Sequence, residues 1–432
     1  MTADRSVTAT FTPGSGWAKT YGGPNWDEAY SIQQTTDGGY IVAGRTHSFG
    51  AGYADIWVLK LDPNGDVQWQ KTYGGPDWDT AYSIQQTSDG GYIVAGMTES
   101  FGAGYADIWV LKLDSNGDVQ WQKTYGGPGN DGAYSIRQTA DGGYIVAGET
   151  TSFGAGNFDM WVLKLDQNGN IQWQKTYGGP YGDRAYSIRQ TADGGYIVSG
   201  EYSFGAGYVD IWVLKLDSNG NVQWQKTYGG PDWDTAYSIQ QTSDGGYIVA
   251  GWTASFGAGV SDLWVLKLDP NGNIQWQKTY GGSANDRAES IQQTTDGGYI
   301  VAGWTYSFGA GNFDMWVLKL DQNGNIQWQK TYGGPYGDVA TSIQQTSDGG
   351  YIVPGWTASF AVGVSDLWVL KLDANGDIVG CNLIGTSAAT VSDTAVIGFA
   401  TSVGPDNTSV SGQDSNAVIT NTNVTPSRQC PP

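Results

Sequence analysis

Histidine is nearly missing from this chain: His47 is the only one in 432 residues. A Ser-His-Asp or Cys-His relay would have to be built on that single residue, so such an enzyme is not expected. Cysteine is almost as scarce, with Cys381 and Cys430 alone. They stand at the two ends of a polar stretch, which suits one disulfide and an oxidising compartment, the alternative being two unrelated thiols. No apolar run is long enough to cross a membrane as a helix. Met1-Thr2-Ala3-Asp4-Arg5 has no apolar core, so any secretion signal is expected to be already removed or never present. Positive charge is short as well, with 21 Lys and Arg against 42 Asp and Glu and a net charge of −21. Such a chain repels a polyanion, and nucleic acid is not an expected partner. Much of the charge is architectural. Every lysine sits at a Lys60-type or Lys71-type position, whereas four aspartates recur in each unit, as Asp27, Asp37, Asp55 and Asp62 do in the first.

What fills the chain instead is a repeat of about 52 residues. In its second copy it runs from Ala81-Tyr82-Ser83-Ile84 through Asp89-Gly90-Gly91-Tyr92-Ile93-Val94-Ala95-Gly96 and Asp107-Ile108-Trp109-Val110-Leu111-Lys112-Leu113-Asp114. It closes on Asn116-Gly117-Asp118-Val119-Gln120-Trp121-Gln122-Lys123-Thr124-Tyr125. Each unit predicts four strands, at 29–35, 40–44, 56–61 and 67–73 in the first. The Asp-Gly and Asn-Gly turns between apolar runs are strong hairpin signals. The third strand, Ile56-Trp57-Val58-Leu59-Lys60-Leu61, is apolar almost throughout and must be covered on both faces. Four-stranded antiparallel blades stacked around an axis meet that demand. Tyr40, Tyr92, Tyr144, Tyr196, Tyr247, Tyr299 and Tyr351 count seven. The expected fold is all-β, a seven-bladed β-propeller.

The division expected is an arm at 1–15, the propeller at 16–379 and a Ser/Thr/Asn-rich tail at 380–432. Residues 16–23 carry the Trp-Lys-Tyr motif of a fourth strand with no repeat before them. The seventh unit has lost that motif at 377–384. The N-terminal strand is therefore predicted to complete blade seven. The rival is that 377–384 takes the slot and leaves the N-terminal strand free for another molecule. The tail, in which Val396, Val403, Val410, Val418 and Val424 recur every six to eight residues, reads either as a polar stalk or as an extended strand-rich appendage on the ring, tethered by Cys381–Cys430.

The phrases Asp-Gly-Gly-Tyr-Ile-Val-Ala-Gly, Trp-Val-Leu-Lys-Leu-Asp-x-Asn-Gly and Trp-Gln-Lys-Thr-Tyr-Gly-Gly resemble the repeats of a family of secreted bacterial and archaeal propeller proteins, over residues 16–379. The resemblance implies an exported or cell-surface propeller and brings no activity with it. More distantly the unit is similar to kelch repeats, although Ala43-Gly44 stands where kelch carries a double glycine.

Asp37-type and Asp62-type residues are explained by tight turns and Asp27-type residues by backbone at the start of each first strand. The Asp62-x-Asn64-x-Asp66 turn lacks a downstream Glu for a calcium shell, so no metal or other cofactor is expected. The unit-to-unit differences lie on the face that carries the long loops. Trp26, Trp78 and Trp233 fall in the links between blades. Trp252, Trp304 and Trp356 follow the second strand of blades five to seven, where blades one to four have Arg45, Met97, Glu149 and Glu201. Together with Arg45 and His47, these tryptophans form the candidate ligand site, for a glycan or a protein. The alternative is that they fill space between blades. The function expected is non-enzymatic extracellular recognition. The alternatives are a structural subunit of a surface layer or filament, associating through its termini, and a polysaccharide-active hydrolase or lyase, which a cluster of unrepeated acids in one pocket would revive.

Overall fold

The computed structural model describes residues 16–203, 208–381 and 384–394, together with the tail segments 399–400, 406–407, 413–414, 418–421 and 427–428. The arm at 1–15 and Cys430, and with it the Cys381–Cys430 pairing, lie outside the described residues. Seven antiparallel sheets form a seven-bladed propeller, and no helix occurs among the described residues. None is therefore long and apolar enough to cross a membrane.

Blade one shows the plan. Its strands are Asp27–Gln34, Tyr40–Thr46, Asp55–Leu61 and Val67–Gly74, paired in sequence order. The first strand lines the axis and the fourth lies outermost. The third strand is buried at all seven positions, as its unbroken apolar run requires. The Lys60 ammonium ends on the Leu61 carbonyl at 3.1 Å and on Asp37 at 2.8 Å. It thereby ties the turn between the first two strands to the third.

Adjacent blades are joined by the Trp-x-Lys-x-Tyr motif of the fourth strand, with only its Lys and Tyr hydrogen-bonded across the joint in blade six. Trp69 Nε1 donates to the Ser115 carbonyl, Lys71 to Asp118 and the Tyr73 hydroxyl to the Gly117 carbonyl, at 3.2, 2.7 and 2.6 Å. All three acceptors lie in the Asn-Gly turn of the next blade. Gly117 is obligatory there. Its φ is +77°, and a Cβ would stand 2.7 Å from the Trp69 ring. The motif and the turn are two halves of one joint.

The N-terminal strand closes the ring. Trp17–Tyr21 pairs antiparallel with Asp366–Leu372 as the fourth strand of blade seven. It grips blade one as the fourth strand of blade one grips blade two: Trp17 Nε1 to the Pro63 carbonyl at 3.1 Å, Lys19 to Asp66 at 2.6 Å and Tyr21 to the Gly65 carbonyl at 2.6 Å. The rival segment 377–384 does not take the slot. Blade seven also has a split first strand, Asp338–Ala340 and Gln344–Gln345. Pro354 stands where five of the other second strands carry alanine and blade four carries Ser199, and it offers no N–H to the ladder.

The tail follows the circumference in reverse order. Ile384–Thr386 adds to the outer strand of blade six, Thr390–Asp393 to blade five, Phe399–Ala400 to blade four and Asp406–Asn407 to blade three. Gln413–Asp414, Val418–Asn421 and Ser427–Arg428 do the same for blades two, one and seven. Successive strands start five to nine residues apart, a spacing matched to the blades. Each addition covers an edge whose free N–H and C=O groups would otherwise recruit another strand. A chain ending at residue 381 is expected to associate more strongly than the full chain as concentration rises, read by light scattering. Identical mass profiles would count against this edge-covering role.

Candidate functional site

The first strand of each blade from one to six carries a bulge at its middle. Ala29 pairs with Gly44 and Ser31 with Ala43, so Tyr30 has no partner across the ladder. A bulged residue is re-aimed, and here it turns to the axis. Tyr30, Tyr82, Tyr134, Tyr186 and Tyr237 stand in an arc, with consecutive ring centroids 5.1, 5.2, 5.2 and 4.8 Å apart. Burial pushes the Tyr30, Tyr82, Tyr134, Tyr186 and Tyr237 hydroxyls above the ordinary phenol range, so they stay protonated at neutral pH. In blades six and seven the same position holds Glu289 and Thr341.

Two further positions flank this ring on the long-loop side. The second residue of the first strand faces the sixth of the second strand: Glu28 with Arg45, Gly132 with Glu149, Arg184 with Glu201, Arg287 with Trp304, Val339 with Trp356. Here the repeat stops repeating. Of five glutamates in the sequence, Glu28, Glu149, Glu201 and Glu289 lie at this mouth, and so do Arg45, Arg184 and Arg287. Each acid is tied to an arginine. Arg45 meets Glu28 at 2.8 Å, Arg184 bridges Glu149 and Glu201, the latter at 2.6 Å, and Arg287 meets Glu289 at 2.9 Å. Burial raises the Glu149 and Glu289 carboxyls, and the Arg184 and Arg287 cations oppose it. Arg184 also lies over the Phe158 ring at 4.4 Å and Arg287 over Tyr237 at 4.0 Å.

The mouth is filled unevenly. Where blades one to five put tyrosine, Glu289 and Thr341 are smaller, and Val339 is short. A cavity of about 420 Å³ opens there, walled by Trp304, Tyr306, Phe313 and Trp356 and reaching the tyrosine arc. That volume lies within the range of small-ligand pockets. Phe313 stacks edge-on against Trp356 at 5.7 Å and lies 5.0 Å from Tyr306. Trp304 Nε1 donates to Glu289 at 3.1 Å. Next to it, Trp233, Trp252, Trp304 and Arg287 border a second hollow, of about 520 Å³, toward the rim.

The eight candidate residues thus divide. Trp252, Trp304 and Trp356 are half-buried and line the two cavities, with Trp233 exposed at the rim of one. Trp26, His47, Trp78 and Arg45 form a separate cluster on the long-loop side of blade one, Trp26 in the link from blade seven and Trp78 in the link to blade two. The His47 ring stands edge-on to Trp26 at 5.7 Å and to Trp78 at 4.9 Å, and Arg45 lies 5.8 Å over Trp78. His47 is half-buried between the two indoles. Burial and Arg45 hold its pKa below the usual imidazole value. The tyrosine arc, Arg184, Arg287 and Glu289 were not among the candidates. The legible signal was composition: the scaffold is written in Asp and Lys, so each Glu and Arg is a departure from it.

Residues 242–274, from the first turn of blade five through its third strand, match the model of a family described as Domain of unknown function (DUF5122) beta-propeller. The regulatory protein FlaEY of Caulobacter vibrioides is 26% identical over 274 residues, which cover 60% of this chain and 26% of that protein. Among solved structures, Sqt1 from Chaetomium thermophilum is 12% identical with a TM-score of 0.46, covering 84% of this chain and 86% of that one. Puromycin hydrolase is 12% identical with a TM-score of 0.45, over 84% of this chain and 52% of that one. At such identities neither structure bears on activity. The chain is a β-propeller repeat protein, and its chemistry has to be argued from its own channel mouth.

Proposed function

We propose that this propeller is a non-enzymatic recognition module of the extracellular space or cell surface, and that it binds a glycan in the cavity of blades six and seven. The observation that carries the reading is the wall of Trp304, Tyr306, Phe313 and Trp356 around a floor of Glu289. Flat aromatic faces stack on the C–H faces of sugar rings, and a carboxylate beside them accepts hydroxyl hydrogen bonds. A segment of a protein partner is the second choice of ligand for the same wall. The sequence variation that makes the mouth unique rides on a constant scaffold, as binding surfaces commonly do. A glycan-array screen followed by titration calorimetry tests it. Trp304→Ala and Trp356→Ala are each expected to weaken binding on the order of tenfold or more. Trp26→Ala, in the link from blade seven to blade one and outside the lining of both cavities, is expected to leave it unchanged. Binding that survives both cavity variants sinks this site.

One observation favours a second reading as a polysaccharide-active enzyme: unrepeated acids do gather in one mouth, with Glu149 and Glu289 raised by burial. Acid–base cleavage needs one carboxyl free to protonate and another free to attack or activate water. All four glutamates here are tied to arginines, which is why recognition is preferred. Release of oligosaccharide from a polysaccharide, abolished by Glu289→Gln, would reverse that preference.

A further inference from the structure

Below the tyrosine arc the channel narrows to a waist, and there the seven blades follow a second rule. Gln33, Gln85, Gln240, Gln292 and Gln344 occupy equivalent positions, three residues after the bulge. The Oε1 of each accepts the backbone N–H of Gln86, Gln138, Gln293, Gln345 and Gln34 respectively, at 2.6, 2.8, 2.8, 2.6 and 2.7 Å. These are five staples between neighbouring blades. Blades three and four break the rule with Arg137 and Arg189. A guanidinium has no acceptor, so it cannot make the staple to Gln190 or Gln241.

The two arginines recover little from the protein. Arg137 Nη1 donates to Ser83 Oγ at 2.9 Å and to the Ile136 carbonyl at 2.7 Å. Arg189 Nη1 reaches the Ile188 carbonyl at 2.8 Å and Ser135 Oγ at 3.5 Å. Among the described residues their other N–H groups have no protein partner. Neither cation meets a carboxylate among the described residues, whereas Arg45, Arg184 and Arg287 at the mouth are all paired with glutamate. Both line a polar cavity of about 180 Å³ together with the glutamines, Ser31, Ser290 and Ser342. Burial holds Arg137 down to about 10, and Arg189 is lowered by burial and then by Arg137. Two like charges in one half-open cavity, set there at the expense of two inter-blade hydrogen bonds, are unfavourable for the empty protein.

We propose that the waist is an anion site, in which Arg137 and Arg189 together hold the oxyanion group of a carboxylate or a phosphate. The planar N–H fork of guanidinium matches both, and the cavity has room for such a group with some water. The site does not depend on the glycan reading.

Thermal unfolding and calorimetry at fixed ionic strength, with inorganic phosphate in one arm and acetate in the other, test the proposal. The wild type is expected to be stabilised by at least one of them, and the responding arm names the group. Arg137→Gln and Arg189→Gln restore the residue of the other five blades. Each is expected to fold and to bind the responding anion on the order of tenfold more weakly. The double variant is expected to match or exceed the wild-type midpoint without anion and to show no response to it. A wild type indifferent to both anions, or a double variant responding as the wild type does, overturns the site.

Discussion

Trp17→Ala is expected to cost about 3–5 kcal/mol of folding free energy, more than the same change at Trp121. The two residues hold the same place in the joint between blades. Trp17 is buried, whereas Trp121 and the other fourth-strand counterparts are half-exposed. Trp17 also sits in the only strand of the ring that is joined to its blade by pairing alone. Trp17–Tyr21 reaches blade seven through hydrogen bonds to Leu367–Lys371 and blade one through three side-chain bonds. Every other blade keeps its fourth strand by chain connection when the joint is weakened. Trp121→Ala is therefore expected to cost about 1–3 kcal/mol, the loss of part of one side chain's burial. Urea unfolding followed by tryptophan fluorescence measures both as shifts in midpoint at constant slope. Equal losses would mean that the closing strand is no more critical than any other.

The ring itself was readable because its causes are local and recur. A Gly-containing turn, an apolar third strand and a Trp-x-Lys-x-Tyr fourth strand each carry a physical reason, and seven copies repeat it. The orphan motif at Trp17–Tyr21 was legible for the same reason, since a joint with only one half present must find the other. The site was legible only in part. Trp252, Trp304 and Trp356 stood out against Arg45, Met97, Glu149 and Glu201 at one aligned position. Tyr30 and its four counterparts looked like framework because they repeat. Their position on the axis follows from the bulge, which depends on how two strands pair and leaves no mark in composition. The cavity is subtler still. It arises where Glu289, Thr341 and Val339 fail to fill a place that other blades fill, and an absence is visible only once the ring has been closed. The order in which the tail visits the blades was likewise beyond reach, because its strands take their register from edges built elsewhere.

Stability is expected to peak in mildly acidic solution and to fall toward neutrality. Each joint between blades buries two aspartates around one glycine. At the first, a Cβ on Gly74 would stand 1.7 Å from Asp55 Oδ1 and 2.9 Å from Asp79 Oδ2. Asp79 accepts hydrogen bonds from the Gly75 N–H and the Ser100 hydroxyl, both at 2.8 Å, but these do not offset the loss of water. Burial, with the Asp55 carboxylate adding to it, pushes Asp79 up to about 6. Asp107, Asp183, Asp314 and Asp366 are also pushed up to about 6, chiefly by burial. The folded state thus holds protons that the unfolded chain releases near 4, and stability present below that pH is lost as pH rises through about 6. For a fully buried carboxyl moved that far, the loss by neutral pH is about 3 kcal/mol before neighbours relax. The turn aspartates work in the opposite sense. Against the push of burial, Lys60, Thr35 and the Gly39 N–H hold Asp37 down to about 2, and Asp89, Asp141, Asp193, Asp244 and Asp296 follow it. Their contribution is present above the unfolded value and disappears as acid approaches about 2. Both sets stabilise the ring fully only near about pH 4, and the buried set's share then declines until about pH 6. Calorimetric Tm is expected to be higher at pH 5 than at pH 7.5 by about 5 °C or more. Asp79→Asn, which removes one titrating group, is expected to flatten the neutral limb and leave the acid limb alone. A Tm that stays level or climbs between those two pH values would show that the buried carboxyls remain ionised in the folded ring.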